Sequence, residues 1–517
     1  MWFRLIFSFF LLLNLTACRE PEGTPPNVVF IMIDQFRADL MDGYGGNPNL
    51  TTPHLDSLAS EGVLFTNAVA AGPLCTPARG MFHTGLYPTH SGVVMNWIEV
   101  NPNQRTIAHI FRDAGYVTGF IGKWHLAGGA YKTSGKHLWG EHDSPQVRQE
   151  KTMVFRERVA AYRELTPEPE FVPPGPQRWG YDHWEAYNFH SSFNEYYFYR
   201  DTLERQTEEG FETDIIFDQA ISFIQTQKEA GRPFFLTLMP HPPHPPWNLE
   251  SQPPGYLEKI PETLAWSPNV PEDHRFRRDP LGSRCYYAMA KHMDDTVGRF
   301  IDFLDETGLS EDTIVVVTSD HGEMLGSHGR NSKLLPYAES VNVPVILRWK
   351  RHIREGHRIE TVHSPIDHLP TLTALAGLLP ASEVDGQDLS SAILGDQVIE
   401  RRGVLMGNYT SHYNFFDSQT VWPEWRAVRT RRYTYVEWLS GEKTLFDNLE
   451  DPYQLTNRIE ADSYQEVRRE LEARLQDLLA EAHDEFLPGT AYADWYDEER
   501  NLVKTALGPV RLRSGPE

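Results

Sequence analysis

Long apolar runs that end in polar or charged residues recur along the first two thirds of the chain. They lack the alternation of apolar and polar residues that marks a strand with one face in water. Such a run predicts a strand that is buried on both faces of a mostly parallel sheet. The five runs are NVVFIMID at 27–34, VTGFIGKWH at 117–125, PFFLTLMPH at 233–241, DTIVVVTSDHGE at 312–323 and VPVILRW at 343–349.

Amphipathic segments lie between these runs, with apolar residues spaced three and four apart and glycine near their ends. That period predicts helices with one buried face. Strands that alternate with helices indicate an α/β domain in which helices sandwich one large sheet. A polar, proline-rich stretch at 131–180 interrupts the pattern and is predicted to be an elaborated loop region near the site. The helical segments are TPHLDSLASEGV, QRTIAHIFRDAG, TDIIFDQAISFIQTQ and MAKHMDDTVGRFIDFLDETG.

The pattern changes from about residue 400. VLMGNY, WRAVRTRRYTYVEW and KTLFDN predict short antiparallel strands, and SYQEVRRELEARLQDLLAEAHDEF predicts a charged helix. This helix sustains too few heptads for a coiled coil, so we expect it to pack on the small sheet. The chain is therefore predicted to have a main α/β domain at 27–398 and a smaller C-terminal α+β subdomain at 399–517.

The N-terminus carries an apolar run from Leu5 to Leu13 that is too short for a confident membrane span and fits a signal-peptide core. The following sequence, LTAC, ends at Cys18 and resembles a bacterial lipobox. We expect residues 1–17 to be a lipoprotein signal peptide, Cys18 to be lipidated, and 18–26 to be a tether. The alternative is an ordinary secretory signal that contains a cysteine. Either way the protein is predicted to be exported, and a lipid anchor would hold it on a bacterial membrane, in the periplasm or at the cell surface.

The net charge and the small number of cysteines limit the functions that the protein can have. The formal net charge is −24 and no Lys/Arg-rich stripe stands out, which argues against nucleic-acid binding. An anionic substrate must therefore be attracted by a local positive pocket. With Cys18 lipidated, only Cys75 and Cys285 remain, so no disulfide framework is expected. Export without disulfides favours a chemical role for Cys75.

The stretch GPLCTPARGMFHTG, at 72–85, sets a cysteine before a proline and an arginine. Proline favours the first turn of a helix, so Cys75 is predicted to lie at or just before a helix N-terminus. Free N–H groups there favour an anion, and Arg79, one turn later, can add a fork of donors. From this motif alone, a small buried hydrophobe is an equally good interpretation of Cys75.

Polar residues follow the apolar runs at the points where the strands should end. The carboxyl ends of parallel strands meet at one edge of a sheet, and ligands bind there. We therefore expect Asp34, Lys123, His125, His244 and Asp320 to converge. Lys123 and His125 are two apart, so on an extended segment their side chains would point the same way.

These pieces together resemble one family. The segment CTPARGMFHTGLYPTHSGV is similar to the signature of the type I sulfatases, of the alkaline phosphatase-like superfamily, in which Cys-x-Pro-x-Arg precedes Thr-Gly-x-x-Pro. The likeness covers almost the whole chain after the signal peptide and implies that 27–398 is a sulfatase catalytic domain. It continues through NVVFIMIDQFRADL, GKWHL, PHPPHPPW, TSDHGEMLGSHG, NSKLLPYAES and LFDNLEDPYQLTN.

The resemblance implies a modified residue 75. In this family a maturation enzyme oxidises the cysteine to formylglycine, which serves as a built-in cofactor. The hydrated aldehyde offers two hydroxyls: one attacks sulfur, and the other later expels sulfate. A thiol such as that of unmodified Cys75 lacks the second hydroxyl, which is the physical reason for the modification.

The resemblance also implies one divalent cation per chain, which we expect to be Ca²⁺. Asp34 and Gln35 match the family's first ligand pair, and Asp320 and His321 match the second, with modified Cys75 as a further ligand. Gln35 stands where the family often has Asp, and His321 where it often has Asn, so the metal's identity is left open. The cation would polarise sulfate and lower the pKa of the diol, and Asp320 would help to deprotonate the attacking hydroxyl.

Three further roles follow from the resemblance around residue 75. Arg79 and Lys123 would hold the formylglycine oxygen. His125 would take the proton that lets sulfate leave.

Another pair would act on the substrate itself. His244 and Lys333 match the residues that bind sulfate and protonate the leaving oxygen. His241 is the competing choice within PHPPHPP, and Ser332 precedes the lysine where the family often has Asp.

The sequence says less about which molecule carries the sulfate ester. The resemblance implies a sulfated poly- or oligosaccharide. Aromatics such as Trp184, Tyr187 and Trp247, with His190, could line a sugar site, and ordinary loop packing explains them equally well. His328 could cap its own loop or touch substrate.

Two other function classes stay open at this point. A phosphodiesterase or phosphonate monoester hydrolase could use the same formylglycine, because tetrahedral phosphate and sulfate esters differ mainly in charge. A non-catalytic lipoprotein that binds sulfated glycans is a further alternative. Retention of every motif residue disfavours the latter.

Overall fold

The computed structural model describes residues 25–128, 168–277, 280–378, 383–395, 397–409, 412–414, 417–497 and 501–510, with isolated positions between 144 and 164. The predicted signal peptide, Cys18, nearly all of the tether and much of the predicted 131–180 loop lie outside these residues. Among the described helices, none combines the length and apolarity that crossing a bilayer requires.

The strands and helices are numbered here in chain order. The strands are β1 Asn27–Ile33, β2 Val63–Phe65, β3 Val117–Lys123, β4 His183–Tyr187, β5 Tyr197–Phe198, β6 Gln206–Thr207, β7 Phe234–Met239, β8 Thr313–Ser319, β9 Val345–Arg348, β10 His357–Ile359, β11 Val404–Asn408, β12 His412–Asn414, β13 Asp417–Trp422, β14 Trp425–Arg429, β15 Tyr433–Trp438, β16 Lys443–Asp447, β17 Lys504–Thr505 and β18 Gly508–Pro509. The α-helices are α1 Pro53–Ser60, α2 Cys75–Thr84, α3 Pro88–Ser91, α4 Ile107–Asp113, α5 Glu212–Ala230, α6 Glu272–Arg277, α7 Pro280–Glu306, α8 Ala338–Val341, α9 His368–Leu375, α10 Ser390–Ile393 and α11 Gln465–Glu481.

The large sheet has eight strands in the order β10-β2-β9-β8-β1-β7-β3-β4. β1 lies in its middle and pairs in parallel with β7 and β8. β9 runs antiparallel to both of its neighbours, and the other pairs are parallel. All five predicted strands are present and the mostly parallel sheet is confirmed. The carboxyl ends of β1, β3, β7 and β8 therefore share one edge.

Helices cover both faces of this sheet, as predicted. Alternate residues of β1 belong to different cores, because successive side chains point to opposite faces. Val28 and Phe30 pack in a cluster with residues of α4 and α9, whereas Val29 and Ile31 pack with residues of α1, α5 and α7. β1 is thus buried on both sides, which explains its continuous apolar sequence.

The C-terminal sheet is antiparallel, in the order β11-β14-β15-β16. α11 packs its leucines on this sheet, as predicted, and Leu475 is fully buried there. The same core includes Met81 of α2 and Val341 of α8. Helix α2, which begins at Cys75, is therefore anchored by the C-terminal sheet.

Candidate active site

Helix α2 begins at Cys75, which confirms the predicted position of this residue. The preceding Leu74 is extended, and Pro77 lies in the first turn. Asn96 accepts a hydrogen bond from the Thr76 backbone N–H at 3.0 Å, which satisfies one free donor of the first turn. The Cys75 side chain is buried, so its environment is set by protein groups.

The ends of β1 and β8 bring two carboxylates together. Asp34 follows β1 and Asp320 follows β8, and both are buried. The Asp320 N–H donates to Ile33 O at 3.3 Å, and Gln35 N–H donates to Asp320 Oδ1 at 3.0 Å. Gln35 has φ +64°, so the chain turns sharply as soon as the strand ends. The predicted convergence of Asp34 and Asp320 is confirmed.

Two cations bind these carboxylates. Arg79 donates to Asp34 Oδ2 at 2.9 Å and to Asp320 Oδ2 at 3.3 Å, and Lys123 Nζ donates to Asp34 Oδ2 at 2.6 Å. All four side chains are fully buried. Burial alone would raise the pKa of Asp34, but the charges of neighbouring groups, Lys123 foremost and Arg79 among them, hold it well below its ordinary value. Asp34 is thus an ionised carboxylate inside the protein.

A third cation reaches residue 75. Lys333 Nζ lies 3.3 Å from Cys75 Sγ and donates to Gln35 Oε1 at 3.0 Å. Burial and the Asp34 carboxylate raise the pKa of Cys75, whereas the ammonium groups of Lys123 and Lys333 lower it and prevail. The environment therefore favours a negatively charged or strongly polar group at this position.

The donor set fits a divalent cation. His321 Nδ1 lies 2.9 Å from its acceptor, Gly322 O, which leaves Nε2 free to face the cluster, 3.3 Å from Cys75 Sγ. The ligand atoms of Asp34, Cys75, Asp320 and His321 lie within 4.8 Å of one another. Two carboxylates and the nearby Gln35 amide oxygen are hard ligands that suit Ca²⁺ or Mg²⁺.

Two histidines lie beyond the end of β7. His241 Nε2 lies 3.0 Å from Lys123 Nζ, and His244 Nδ1 lies 2.8 Å from its acceptor, Pro245 O. One ligand atom from each lies within 4.8 Å of an Asp34 oxygen. Burial and then neighbouring cations hold the pKa of both rings well below the ordinary value, so both are neutral. His244 therefore presents an unprotonated Nε2.

His125 lies near this group in an unexpected conformation. β3 ends at Lys123, and His125 has φ +53°, so the expectation of one extended segment is wrong. The ring packs on Trp97 and Phe189, and Phe189 also lies 4.8 Å below the Lys123 ammonium. Among the described residues, neither ring nitrogen has a hydrogen-bond partner. Burial, followed by the positive charge of Lys123, holds the pKa of the His125 ring well below the ordinary value.

Sequence reasoning missed two buried acids. Glu212, at the start of α5, accepts from Tyr187 Oη at 2.7 Å and from His241 N–H at 3.1 Å, and burial raises its pKa to about 8. Glu323 accepts from Gln35 Nε2 at 2.6 Å. Glu212 looked like an ordinary acid in a first helical turn. Glu323 follows the Asp320 ligand pair closely, and that spacing was the available signal.

The structure contradicts two of the aromatic residues suggested for a sugar site and leaves the others untested. Trp184 and Tyr187 are wrong candidates, because both pack inside the sheet's core and are at most 3% exposed. His190 is also buried; its ring stacks on Tyr197 and Nε2 bonds Tyr197 O at 2.8 Å. A substrate role for His190 stays a prediction.

Trp247 and His328 are more accessible. Trp247 is half-buried, close to His244, and donates to Pro243 O at 2.8 Å. His328 stacks on Tyr337 with ring centroids 3.9 Å apart. Their substrate roles also stay predictions.

Comparison with known proteins gives the family. A family model described as sulfatase matches residues 26–378, and one described as N-sulphoglucosamine sulphohydrolase, C-terminal, matches residues 326–481. The first match covers more than half of the chain and includes the whole cluster around Cys75. The chain belongs to the sulfatase family, and it is a sulfatase enzyme.

Individual relatives agree with this assignment. An ulvan-active sulfatase of Formosa agariphila is 32% identical over 508 residues, covering 97% of this chain and 90% of that protein. An endo-4-O-sulfatase of Bacteroides thetaiotaomicron is 26% identical, covering 93% and 96%. The crystal structure of the yidJ protein of Bacteroides fragilis matches with a TM-score of 0.74 and 28% identity, covering 92% and 100%.

Proposed function

We propose that this enzyme is a formylglycine-dependent sulfatase that removes sulfate from a sulfated poly- or oligosaccharide. The observation that carries the proposal is the surroundings of the Cys75 side chain at a buried helix start. Lys333 and His321 lie 3.3 Å from its sulfur, and Asp34 lies 3.9 Å away. Related proteins named as ulvan-active and endo-4-O-sulfatases support a carbohydrate substrate.

The modified residue and the cation have defined positions in this proposal. Asp34, Gln35, Asp320 and His321, with residue 75, would hold one divalent cation, and Ca²⁺ suits their oxygen ligands. The hydrated aldehyde would supply the nucleophilic hydroxyl, and the cation would supply polarisation of the sulfate oxygens. One Asp320 oxygen lies within 4.8 Å of Cys75 Sγ, and Asp320 would help to deprotonate the attacking hydroxyl of the modified residue.

The chain's own residues organise the nucleophile. Arg79 also donates to Lys123 O at 2.8 Å, so its guanidinium is fixed by the strand end as well as by the carboxylates. Arg79 and Lys123 hold the oxygen of the modified side chain. His125 is neutral, and within the described part of the chain neither ring nitrogen has a hydrogen-bond partner, so it can take up a proton during sulfate release.

Two other groups act on the sulfate ester. Lys333 is an ammonium beside residue 75, and it binds the sulfate anion. His244 is neutral without substrate because burial and Lys333 lower its pKa. A bound anion favours the imidazolium, so substrate binding brings His244 towards its proton-donating form for the leaving oxygen.

The first test is chemical. In protein co-expressed with a formylglycine-generating enzyme, peptide mass spectrometry should find residue 75 lighter by the difference between CH₂SH and CHO. Cys75→Ala should abolish sulfate release. Cys285→Ala, which removes the second buried thiol of the described residues, should leave it intact. Full activity of Cys75→Ala or of unconverted protein would refute the mechanism.

The substrate needs its own measurement. Matched aryl sulfate and aryl phosphodiester substrates should show dominant sulfate release, and dominant diester turnover would favour the phosphodiesterase alternative. Defined sulfated mono- and oligosaccharides should then reveal which ring position is cleaved. Turnover of no sulfated saccharide alongside good aryl sulfate activity would contradict the carbohydrate substrate.

We also propose that the protein is an exported lipoprotein. The support is the sequence alone: an apolar run in residues 1–17 followed by the lipobox-like LTAC at Cys18. Full-length protein made in a bacterium should incorporate labelled palmitate and sediment with membranes. Cys18→Ser should do neither, and equal labelling of both proteins would contradict the anchor.

A further inference from the structure

The Gln35 side chain lies between two opposite charges. Its Nε2 donates to Glu323 Oε2 at 2.6 Å, and its Oε1 accepts from Lys333 Nζ at 3.0 Å. Gln35 and Glu323 are at most 1% exposed and Lys333 is 8% exposed, so both hydrogen bonds lie inside the protein.

Only one orientation of the amide satisfies both partners. Turning it over would set its NH₂ against the Lys333 ammonium and its oxygen against the Glu323 carboxylate. The Gln35 backbone is fixed too, because its N–H donates to Asp320 Oδ1 and its carbonyl accepts from Tyr286 Oη at 3.0 Å. The amide oxygen is therefore directed towards the Lys333 ammonium, which lies 3.3 Å from Cys75 Sγ at the proposed cation site.

Glu323 is itself held firmly. Its Oε1 accepts from Leu325 N–H at 3.0 Å and from Ser332 N–H at 2.7 Å. Ser332 directly precedes Lys333, so Glu323 also fixes the loop that brings the ammonium to Gln35. One carboxylate thus supports both ends of the amide.

Charge explains why position 35 is an amide here. The buried cluster holds three carboxylates and three cations, which balance before any metal binds. A carboxylate at position 35 would lie about as close to Glu323 as the amide nitrogen does, and two like charges at hydrogen-bond distance repel. The six charged residues are Asp34, Asp320, Glu323, Arg79, Lys123 and Lys333.

We propose that Glu323 is a positioning residue for the cation site. It holds the Gln35 amide with its oxygen towards the cation. The Glu323 carboxylate also supplies the negative charge that the neutral Gln35 side chain does not carry. This role rests on the proposed function, because it takes Gln35 as a ligand of the cation. It predicts that cation binding tolerates swapping the amide and the carboxylate between positions 35 and 323, but does not tolerate either substitution alone.

Three isosteric variants test this. In Glu323→Gln, the new amide keeps its oxygen on Leu325 and Ser332, so two NH₂ groups meet and Gln35 must turn its oxygen away. In Gln35→Glu, two carboxylates face each other. The double variant Gln35→Glu/Glu323→Gln restores every hydrogen bond, with the carboxylate now next to the cation.

Ca²⁺ affinity is the readout, measured by calorimetry on chelator-stripped protein with residue 75 in the same maturation state in every variant; it requires no catalytic turnover. We expect each single variant to bind Ca²⁺ at least about tenfold more weakly than wild type, as loss of a ligand's hydrogen-bond partner typically costs. The double variant should bind within about threefold of wild type or more tightly, since a carboxylate then ligates directly. Such recovery would mean that the effects of the two substitutions on Ca²⁺ affinity are strongly non-additive, as is typical of residues in direct contact.

A matched control separates this role from folding. Glu185 on β4 is also buried and pairs with Arg200, so Glu185→Gln should leave Ca²⁺ affinity unchanged. Unchanged affinity in Glu323→Gln, or additive losses in the double variant, would overturn the role of Glu323 while leaving the cation site in place. Wild-type protein that takes up no divalent cation would overturn the cation of the proposed function itself, and this role with it.

Discussion

Replacing Asp34 with asparagine should destabilise the cation-free protein substantially. One oxygen of Asp34 accepts from both Lys123 and Arg79, and all three side chains are fully buried. Removing one partner of a buried ion pair costs about 3–5 kcal/mol, because the other charge is left without compensation. Arg79 keeps its second carboxylate, Asp320, at 3.3 Å. We therefore expect the free energy of unfolding to fall by an amount near the lower limit, about 3 kcal/mol.

Urea unfolding followed by tryptophan fluorescence, with chelator present, measures this loss without a bound metal. The control is Asp113→Asn, which breaks an exposed ion pair with Arg105 whose side chains are 51% and 59% exposed. That change should alter the free energy of unfolding by less than about 0.5 kcal/mol, since exposed pairs contribute little. A loss below about 1 kcal/mol for Asp34→Asn would refute the reasoning, because no buried charge would then be uncompensated.

The pH dependence gives a second check on Asp34. The pKa of Asp34 in the folded state is held well below the ordinary value. Its contribution to the free energy of unfolding is therefore fully present above the unfolded-state pKa of about 3.9 and is lost as pH falls through the folded-state pKa. The difference between wild type and Asp34→Asn should stay constant from about pH 8 down to pH 5 and narrow only in stronger acid. A difference that widens on acidification would contradict this sign.

Further predictions concern the metal, a proton acceptor and the C-terminal subdomain. Chelation should lower the thermal unfolding midpoint and added Ca²⁺ should restore it; no shift would contradict a structural cation site. The acid limb of kcat/KM should lie below the ordinary imidazole value of about 6.5, because the pKa of His125 is lowered; a limb at that value would exclude His125 as the acceptor. Leu475→Ala should cost about 2–5 kcal/mol in urea unfolding, whereas Leu449→Ala, 76% exposed, should cost less than about 0.5 kcal/mol; equal losses would contradict packing of α11 on the sheet.

Elements with one strong local signal were predictable from sequence. β1 and β8 have continuous apolar runs because helices cover both faces of the sheet, and the polar residues that end them lie at its carboxyl edge. Cys75 was expected at a helix start because of Pro77, and α2 begins there. In each case the determining interaction lies within a few residues of the chain.

Features that depend on distant partners were not predictable. The Gln35–Glu323 hydrogen bond joins residues 288 apart, so the sequence around either residue does not reveal its partner. The left-handed backbone of His125 is invisible in GKWHL, since non-glycine residues rarely adopt it. The reversed direction of β9 leaves its apolar sequence unchanged, because a strand buried on both faces reads the same in either direction.

The balance of charge in the site bears on how an acidic enzyme binds a sulfate ester. The overall charge of −24 acts at long range, but physiological salt screens exposed charges beyond about 8 Å. The buried cluster is nearly neutral without metal, so a divalent cation gives the site a net positive charge where the ester binds. Because Glu323 already neutralises one cation, a carboxylate added at position 35 would cancel part of that charge. An amide at position 35 therefore leaves the loaded site more attractive to sulfate than a third ligand carboxylate, beside those of Asp34 and Asp320, would.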